Sequence, residues 1–261
     1  MIRLAANLSF LFNEMPFMDR FAAAGACGFK GVEYLFPYEH SPKDIAEALD
    51  DARVAQVLFN VGPGDWSAGE RGIAALPGRE RDFLEALDQG LEYAAVLRCP
   101  RLHVMAGLRP SGASLEEIER VYEANLRLAA TRCAQRKVEV VIEPINHRDI
   151  PGYYLNTTRQ AIAVIDRIAA PNLKLQLDLY HCQVTEGDLV HHIRALAGRF
   201  SHVQIAGNPD RNEPDTGEVN YTYVLEELDA SGYDGWVGCE YRPKSGTREG
   251  LEWARAYGIL K

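Results

Sequence analysis

The sequence predicts an α/β protein folded as a single (β/α)8 TIM barrel over residues 1–261. Three observations lead there. Eight short apolar stretches recur along the chain, amphipathic stretches separate them, and no linker, low-complexity tract or shift in composition divides the 261 residues. Eight alternating units in about 260 residues is the count for such a barrel. A doubly wound sheet is the α/β alternative, but it usually has fewer strands at this length. Its G-x-G-x-x-G turn is missing after the first strand, and no Walker A stretch is present.

The strand candidates are IRLAANLSF (2–10), GVEYLF (31–36), VAQVLFNV (54–61), RLHVMAG (101–107), EVVIEPIN (139–146), LKLQLDLYH (173–181), FSHVQIAG (200–207) and GWVGCEY (235–241). Helix starts fall between them. Ser41 precedes Pro42 as a cap followed by a first-turn proline. Ser114 and Glu117 stand at capping-box spacing. Ile162, Ile165 and Ile168 form a stripe, and a further helix is expected to begin at Thr185 with Asp188 three residues on. Helices also fit after strands one, three, seven and eight.

A net charge of −9 argues against nucleic acid as a partner, because phosphate binding needs a basic footprint. The five cysteines are odd in number and lack C-x-x-C spacing, which suits reduced thiols and a cytoplasmic location. The N-terminus has no signal-peptide pattern, and no apolar run approaches the roughly 20 residues of a membrane helix. The composition is compatible with a homo-oligomer.

Strand parity carries the functional reading. Side chains alternate between the faces of a strand. Leu173, Leu175, Leu177 and Leu179 share one face, and Lys174, Gln176 and Asp178 the other. Val203 and Ile205 oppose His202 and Gln204, Val237 and Cys239 oppose Gly238 and Glu240, and Val140 and Ile142 oppose Val141 and Glu143. If the apolar faces meet the helices, the polar faces enter the barrel, where polar groups need partners. Glu143, Asp178, Gln204 and Glu240 then gather at the C-terminal strand ends, where active sites of this fold lie. Three carboxylates there repel one another unless a cation sits between them. Oxygen-only ligation suits Mg2+ or Mn2+.

The stretches GDWSAGERG (64–72), IEPINHRDIPGYYL (142–155), QLDLYHCQ (176–183), NPDRNEPDTGEVNY (208–221) and WVGCEY (236–241) closely resemble the hydroxypyruvate isomerase family of xylose-isomerase-like barrels. The resemblance covers the whole chain. It implies a metal-dependent isomerase of a small sugar acid, interconverting hydroxypyruvate and tartronate semialdehyde through an enediolate. Glu143 and Glu240 are then the catalytic acid–base pair. Glu143, Asp178, Gln204 and Glu240 are then the metal ligands. His181 and Arg211 resemble substrate-contacting residues of relatives. Two positions depart from the family pattern: Gly207 stands where relatives often have an acid, and Asp215 where they often have glycine.

Other residues are weighed by position. Trp66 and Glu70 could close over the substrate. Arg211, and after it Arg71, are candidates for the substrate carboxylate, since arginine makes bidentate pairs. The HRD at 147–149 is a coincidence with kinase loops in the absence of a glycine-rich loop or DFG. His191 and His192 fall mid-helix, and His103 receives no role. Within the same fold a 2-oxo-tetronate-type isomerase or a ketose 3-epimerase is the nearest alternative, and a non-catalytic sugar-acid-binding protein is the alternative of a different class.

Overall fold

A computed structural model of the chain describes residues 2–260, so the expected domain limits Met1 and Lys261 lie outside the described residues. Eight parallel strands close into a barrel in chain order: β1 (Arg3–Asn7), β2 (Gly31–Tyr34), β3 (Ala55–Asn60), β4 (Arg101–His103), β5 (Glu139–Ile142), β6 (Leu173–Asp178), β7 (Phe200–Ile205) and β8 (Trp236–Cys239). β1 pairs with both β2 and β8, which leaves no open edge. Around the barrel run α1 (Arg20–Cys27), α2 (Pro42–Ala52), α3 (Glu80–Leu97), α4 (Leu115–Ala134), α5 (Thr158–Ile168), α6 (Leu179–Thr185), α7 (Leu189–Ala195) and α8 (Tyr221–Ala230). After β8 a 3-10 helix, Glu249–Tyr257, takes the place of the expected α-helix.

The caps form as the sequence implies. Ser41 Oγ accepts from Asp44 N, and Ser114 Oγ accepts from Glu117 N, each at 3.1 Å. The parity reading also holds. Leu173, Leu175, Leu177, Val203, Ile205, Val237 and Cys239 belong to the main core between strands and helices. A separate apolar cluster of Ala5, Val57, Leu58 and Val141 packs with Trp236. Gly31 leaves room for that packing, because a Cβ there would meet the Trp236 ring at 2.8 Å.

Two expectations are corrected. LKLQLDLYH is not one strand: it turns into α6 at Leu179. Asp178 Oδ1 accepts from Tyr180 N at 2.7 Å and His181 N at 3.2 Å, so Asp178 is an N-cap and ends the strand. The helix expected from Thr185 starts later, at Leu189. α6 ends at Thr185 and α7 begins at Leu189, because Gly187 (φ 68°) and Asp188 (φ 48°) take left-handed backbone between them. All five cysteines are free and buried. Among the described residues no helix is long and apolar enough to cross a membrane.

Candidate active site

A cavity of about 460 Å3 opens among the loops at the C-terminal strand ends. Glu143, Gln176, His181, Arg211 and Glu240 line it, as do Asn60 and His103. Asp178 is buried beside His181, with Oδ2 3.7 Å from His181 Nε2. Register places Asp178 opposite Gln204, and Gln204 opposite Gly238. The four residues singled out by parity are thus at one end of the barrel, and all are buried.

Their bonding differs sharply. Glu240 is surrounded by donors: Asn7 Nδ2 at 2.8 Å, Gln204 Nε2 at 2.5 Å and the Arg211 guanidinium. Glu143 has none of these, and its Oε1 is buried without a hydrogen-bond partner. Burial pushes both carboxyls up, and neighbouring carboxylates add to the push. Glu240 reaches about 8, held back by Arg211, while Glu143 lies well above its ordinary range, raised further by Asp178 and Glu240. Asp178 rises to about 6 through burial, countered by Arg211 and two backbone N–H groups.

Beneath this layer lies a polar network that the sequence reading missed. Buried Glu33 accepts from His202 Nε2 at 2.6 Å, from Gln204 Nε2 at 2.8 Å and from Asn7 Nδ2 at 3.0 Å. Gly238 makes room for it, since a Cβ there would stand 2.3 Å from Glu33 Oε1. Gln204 therefore turns its amide nitrogen to Glu33 and Glu240, and its oxygen accepts from Gln176 Nε2 at 2.6 Å. His103 Nδ1 donates to Asn60 Oδ1 at 3.2 Å, and its Nε2 stands 3.7 Å from Glu143 Oε2. Burial pushes His103 down to about 3, so it is neutral. Parity could have found Asn7, Glu33, Asn60 and His103. Each is a polar residue in an otherwise mainly apolar strand candidate, the same signal that marked strands five to eight.

The tautomer of His181 follows from its neighbours. Asn146 Oδ1 accepts from the Asp149 backbone N–H at 2.8 Å, which fixes the orientation of the amide. Asn146 Nδ2 then donates to His181 Nδ1 at 2.6 Å. Burial and Arg211 push His181 well below its ordinary value, so the ring is neutral and carries its proton on Nε2. His181 thus presents a donor toward the carboxylates, although its ligand atom, with those of Glu143 and Asp178, forms a group within 4.8 Å.

Arg211 sits where expected, in the loop after β7, with φ 57°. Its guanidinium is not free. It binds Asp149 Oδ2 at 2.7 Å and Glu240 Oε1, lies 3.8 Å from Asp178 Oδ2, and stacks between Phe10 and Tyr180. Trp66 lines the cavity, tilted against Phe36 and covered by Arg71 at 4.0 Å. Glu70 does not line it: its carboxylate is taken by Arg79 and by the Asp65 N–H at 2.5 Å, so the expected closure over substrate is not where this side chain is. Arg71 and Arg148 line the cavity and make no ion pair among the described residues. Asp149, of the HRD stretch, holds both Arg211 and Tyr180 Oη (3.0 Å).

The fold and this buried carboxylate cluster define a class. The chain belongs to the xylose isomerase-like TIM barrel family, whose model matches residues 21–257. Among its relatives are the 2-oxo-tetronate isomerase of Cupriavidus necator, 52% identical over 98% of this chain and 99% of that protein, and the hydroxypyruvate isomerase of Escherichia coli, 44% identical over 98% and 100%. A crystal structure from Brucella melitensis described as an AP endonuclease, family 2, superposes with a TM-score of 0.97 at 47% identity, covering 99% of this chain and 100% of that one.

Proposed function

We propose that the chain is an isomerase of short 2-oxo sugar acids, moving the oxo group between C2 and C3, with the four-carbon 2-oxo-tetronate preferred over hydroxypyruvate. The observation that carries this reading is the contrast between two buried carboxyls on one cavity, Glu240 held by Asn7, Gln204 and Arg211, and Glu143 with one oxygen unpartnered. Two titratable groups whose environments push them apart supply an acid and a base. Glu240, beside the Arg211 guanidinium, takes the proton from C3. The electron pair forms the C2=C3 bond, giving an enediolate. Glu143 returns a proton at C2, and the hydroxyl proton passes from O3 to O2, so the oxo group ends on C3. The Nε2–H of His181 donates to a substrate oxygen as charge develops there.

The donor set fits a hard divalent cation. Glu143 has an orphaned buried oxygen, and Asp178 and Glu240 offer further carboxylate oxygens. Gln204 would join them only with its amide reversed, which requires Gln176 to reverse as well so that its Oε1, buried without a partner, accepts the Gln204 nitrogen. Mg2+ or Mn2+ held there would act as a Lewis acid toward the substrate oxygens. The substrate carboxylate falls to Arg71 and Arg148, because Arg211 is already committed to Asp149 and Glu240.

The order of substrates rests on the 52% identity to a 2-oxo-tetronate isomerase and on a cavity of about 460 Å3, roomy for three carbons. The endonuclease description of one relative is not followed: the chain carries a net charge of −9, and a nuclease must neutralise phosphates. The test is an assay of chelator-treated protein, with and without Mg2+ or Mn2+, on both 2-oxo acids and on neutral ketoses in heavy water. Metal-restored turnover, higher kcat/KM on the four-carbon acid and deuterium in the product are expected. Inactivity on both acids, or a preference for ketoses, overturns the reading; retention of the substrate hydrogen replaces proton transfer with a hydride shift.

A further inference from the structure

A second cluster of ligating side chains lies where α6 gives way to α7. Cys182 on α6, Glu186 just beyond its last residue and His192 on α7 each offer one ligand atom, all within 4.8 Å of one another. Cys182 is buried, and the other two are half-buried. None of the three lines the cavity assigned to the isomerase.

Thr158, the first residue of α5, holds two of them. Its backbone N–H donates to Glu186 Oε2 at 2.7 Å and its hydroxyl to Glu186 Oε1 at 3.1 Å. A carboxylate only accepts, so the hydroxyl proton is spent on Glu186. The Thr158 oxygen must then accept from His192 Nδ1, 3.2 Å away. With Nδ1 as the donor in that bond, Nε2 is the nitrogen left to ligate. A ligating histidine is typically fixed in this way, by a hydrogen bond from its other nitrogen, and ligating carboxylates are commonly hydrogen-bonded as well.

We propose that Cys182, Glu186 and His192 form a second metal site that takes a borderline-soft divalent ion of the Zn2+ type. A thiolate and an imidazole favour Zn2+ or Co2+ over Mg2+ and Mn2+. Three protein ligands leave a fourth position for water. Burial, together with Glu186, pushes the Cys182 thiol up, so the metal-free site holds a thiol. Binding forms the sulfur–metal bond and releases one proton to solvent. The ion would tie α6 to α7 and, through Thr158, to α5. The other end of α6 carries His181 into the active site, so the site is a staple on the element that places that donor.

Co2+ titration of the full chain tests this, because thiolate ligation gives a near-ultraviolet sulfur-to-cobalt charge-transfer absorption that the all-oxygen donor set at the barrel mouth cannot produce. The band is expected in the wild type, to be displaced by Zn2+ and not by Mg2+, and to persist in Glu143→Gln. Cys182→Ser should remove it, while Cys27, Cys99, Cys133 and Cys239 remain in place. His192→Gln, at a half-buried position where folding is less at stake, should weaken Co2+ binding by about tenfold or more, at least the scale of losing a supporting residue. Absence of the band in the wild type, its survival in Cys182→Ser, or unchanged affinity in His192→Gln overturns the proposal. Each readout is independent of turnover.

Discussion

Glu240 and Glu143 stand on the same cavity and have the same side chain, yet their surroundings are opposite. Glu240 accepts from Asn7, Gln204 and Arg211, while Glu143 keeps a buried oxygen with no partner. Donors offset part of the cost of burying a carboxyl, whereas an orphaned buried oxygen leaves that cost uncompensated. Both carboxyls serve the chemistry, but Glu240 is also tied into the scaffold by its donors, whereas Glu143 is not.

Activity and stability should respond separately at these two positions. Both Glu240→Gln and Glu143→Gln should lower turnover by about 10²-fold or more, the scale of losing general acid–base catalysis. Their thermal midpoints should move apart. Glu240→Gln loses the charge partner of buried Arg211 and should cost about 1–3 kcal/mol, while Glu143→Gln should leave the metal-free protein as stable or more so. Equal destabilisation in denaturant titrations would remove the distinction drawn above.

Arginine variants separate substrate binding from turnover. Arg71→Ala should raise KM for a 2-oxo acid by about 10- to 100-fold, from about 1.5–3 kcal/mol for hydrogen bonds to a charged group. Arg211→Ala should mainly lower kcat, because it frees Glu240 and Asp149. Steady-state kinetics that show the reverse pattern would return Arg211 to the carboxylate.

Asn146→Asp should act through His181. A carboxylate accepts a hydrogen bond, so the ring proton moves to Nδ1 and the donor at Nε2 is lost. A fall in kcat of about tenfold is expected, with the tautomer read by nitrogen-15 NMR of the imidazole. An Nε2-protonated ring in the variant would show that Asn146 does not set it.

A pH dependence follows from the same Glu240 carboxyl. Glu240 is raised from 4.5 to about 8 in the fold, so its contribution to stability is fully present below about 4.5 and is lost as pH rises through about 8. His103 is lowered from 6.5 to about 3 and opposes this only below about 6.5. Above that value the metal-free midpoint should decline toward alkaline pH, and Glu240→Gln should make the decline shallower, with the raised Glu143 carrying the remainder. A wild-type profile that is level between about pH 6.5 and 9 would contradict the raised carboxyl.

Much of this was legible in the chain. Alternation within strands set which faces entered the barrel, and the eightfold repeat set its architecture, because both are local periodicities of two and about thirty residues. Glu143, Asp178, Gln204 and Glu240 could be placed at one end because each falls near the close of its strand. Asp178 as a helix cap was missed, since a cap looks like a strand end until the next turn of backbone is known.

Bonding partners were decided only by tertiary structure. Glu33 meets His202 across 169 residues, and Asn7 meets Glu240 across 233. Nothing in a local pattern sets which of two carboxylates receives the donors, which way Gln204 turns its amide, or that Arg211 is used up by Asp149 and Glu240. Those outcomes depend on strand register and on the space left by Gly238 for the Glu33 carboxylate. Sequence fixes which groups reach the barrel mouth because side-chain direction is a property of the strand; closure of the barrel fixes their roles because hydrogen bonds depend on distances between strands far apart in the chain.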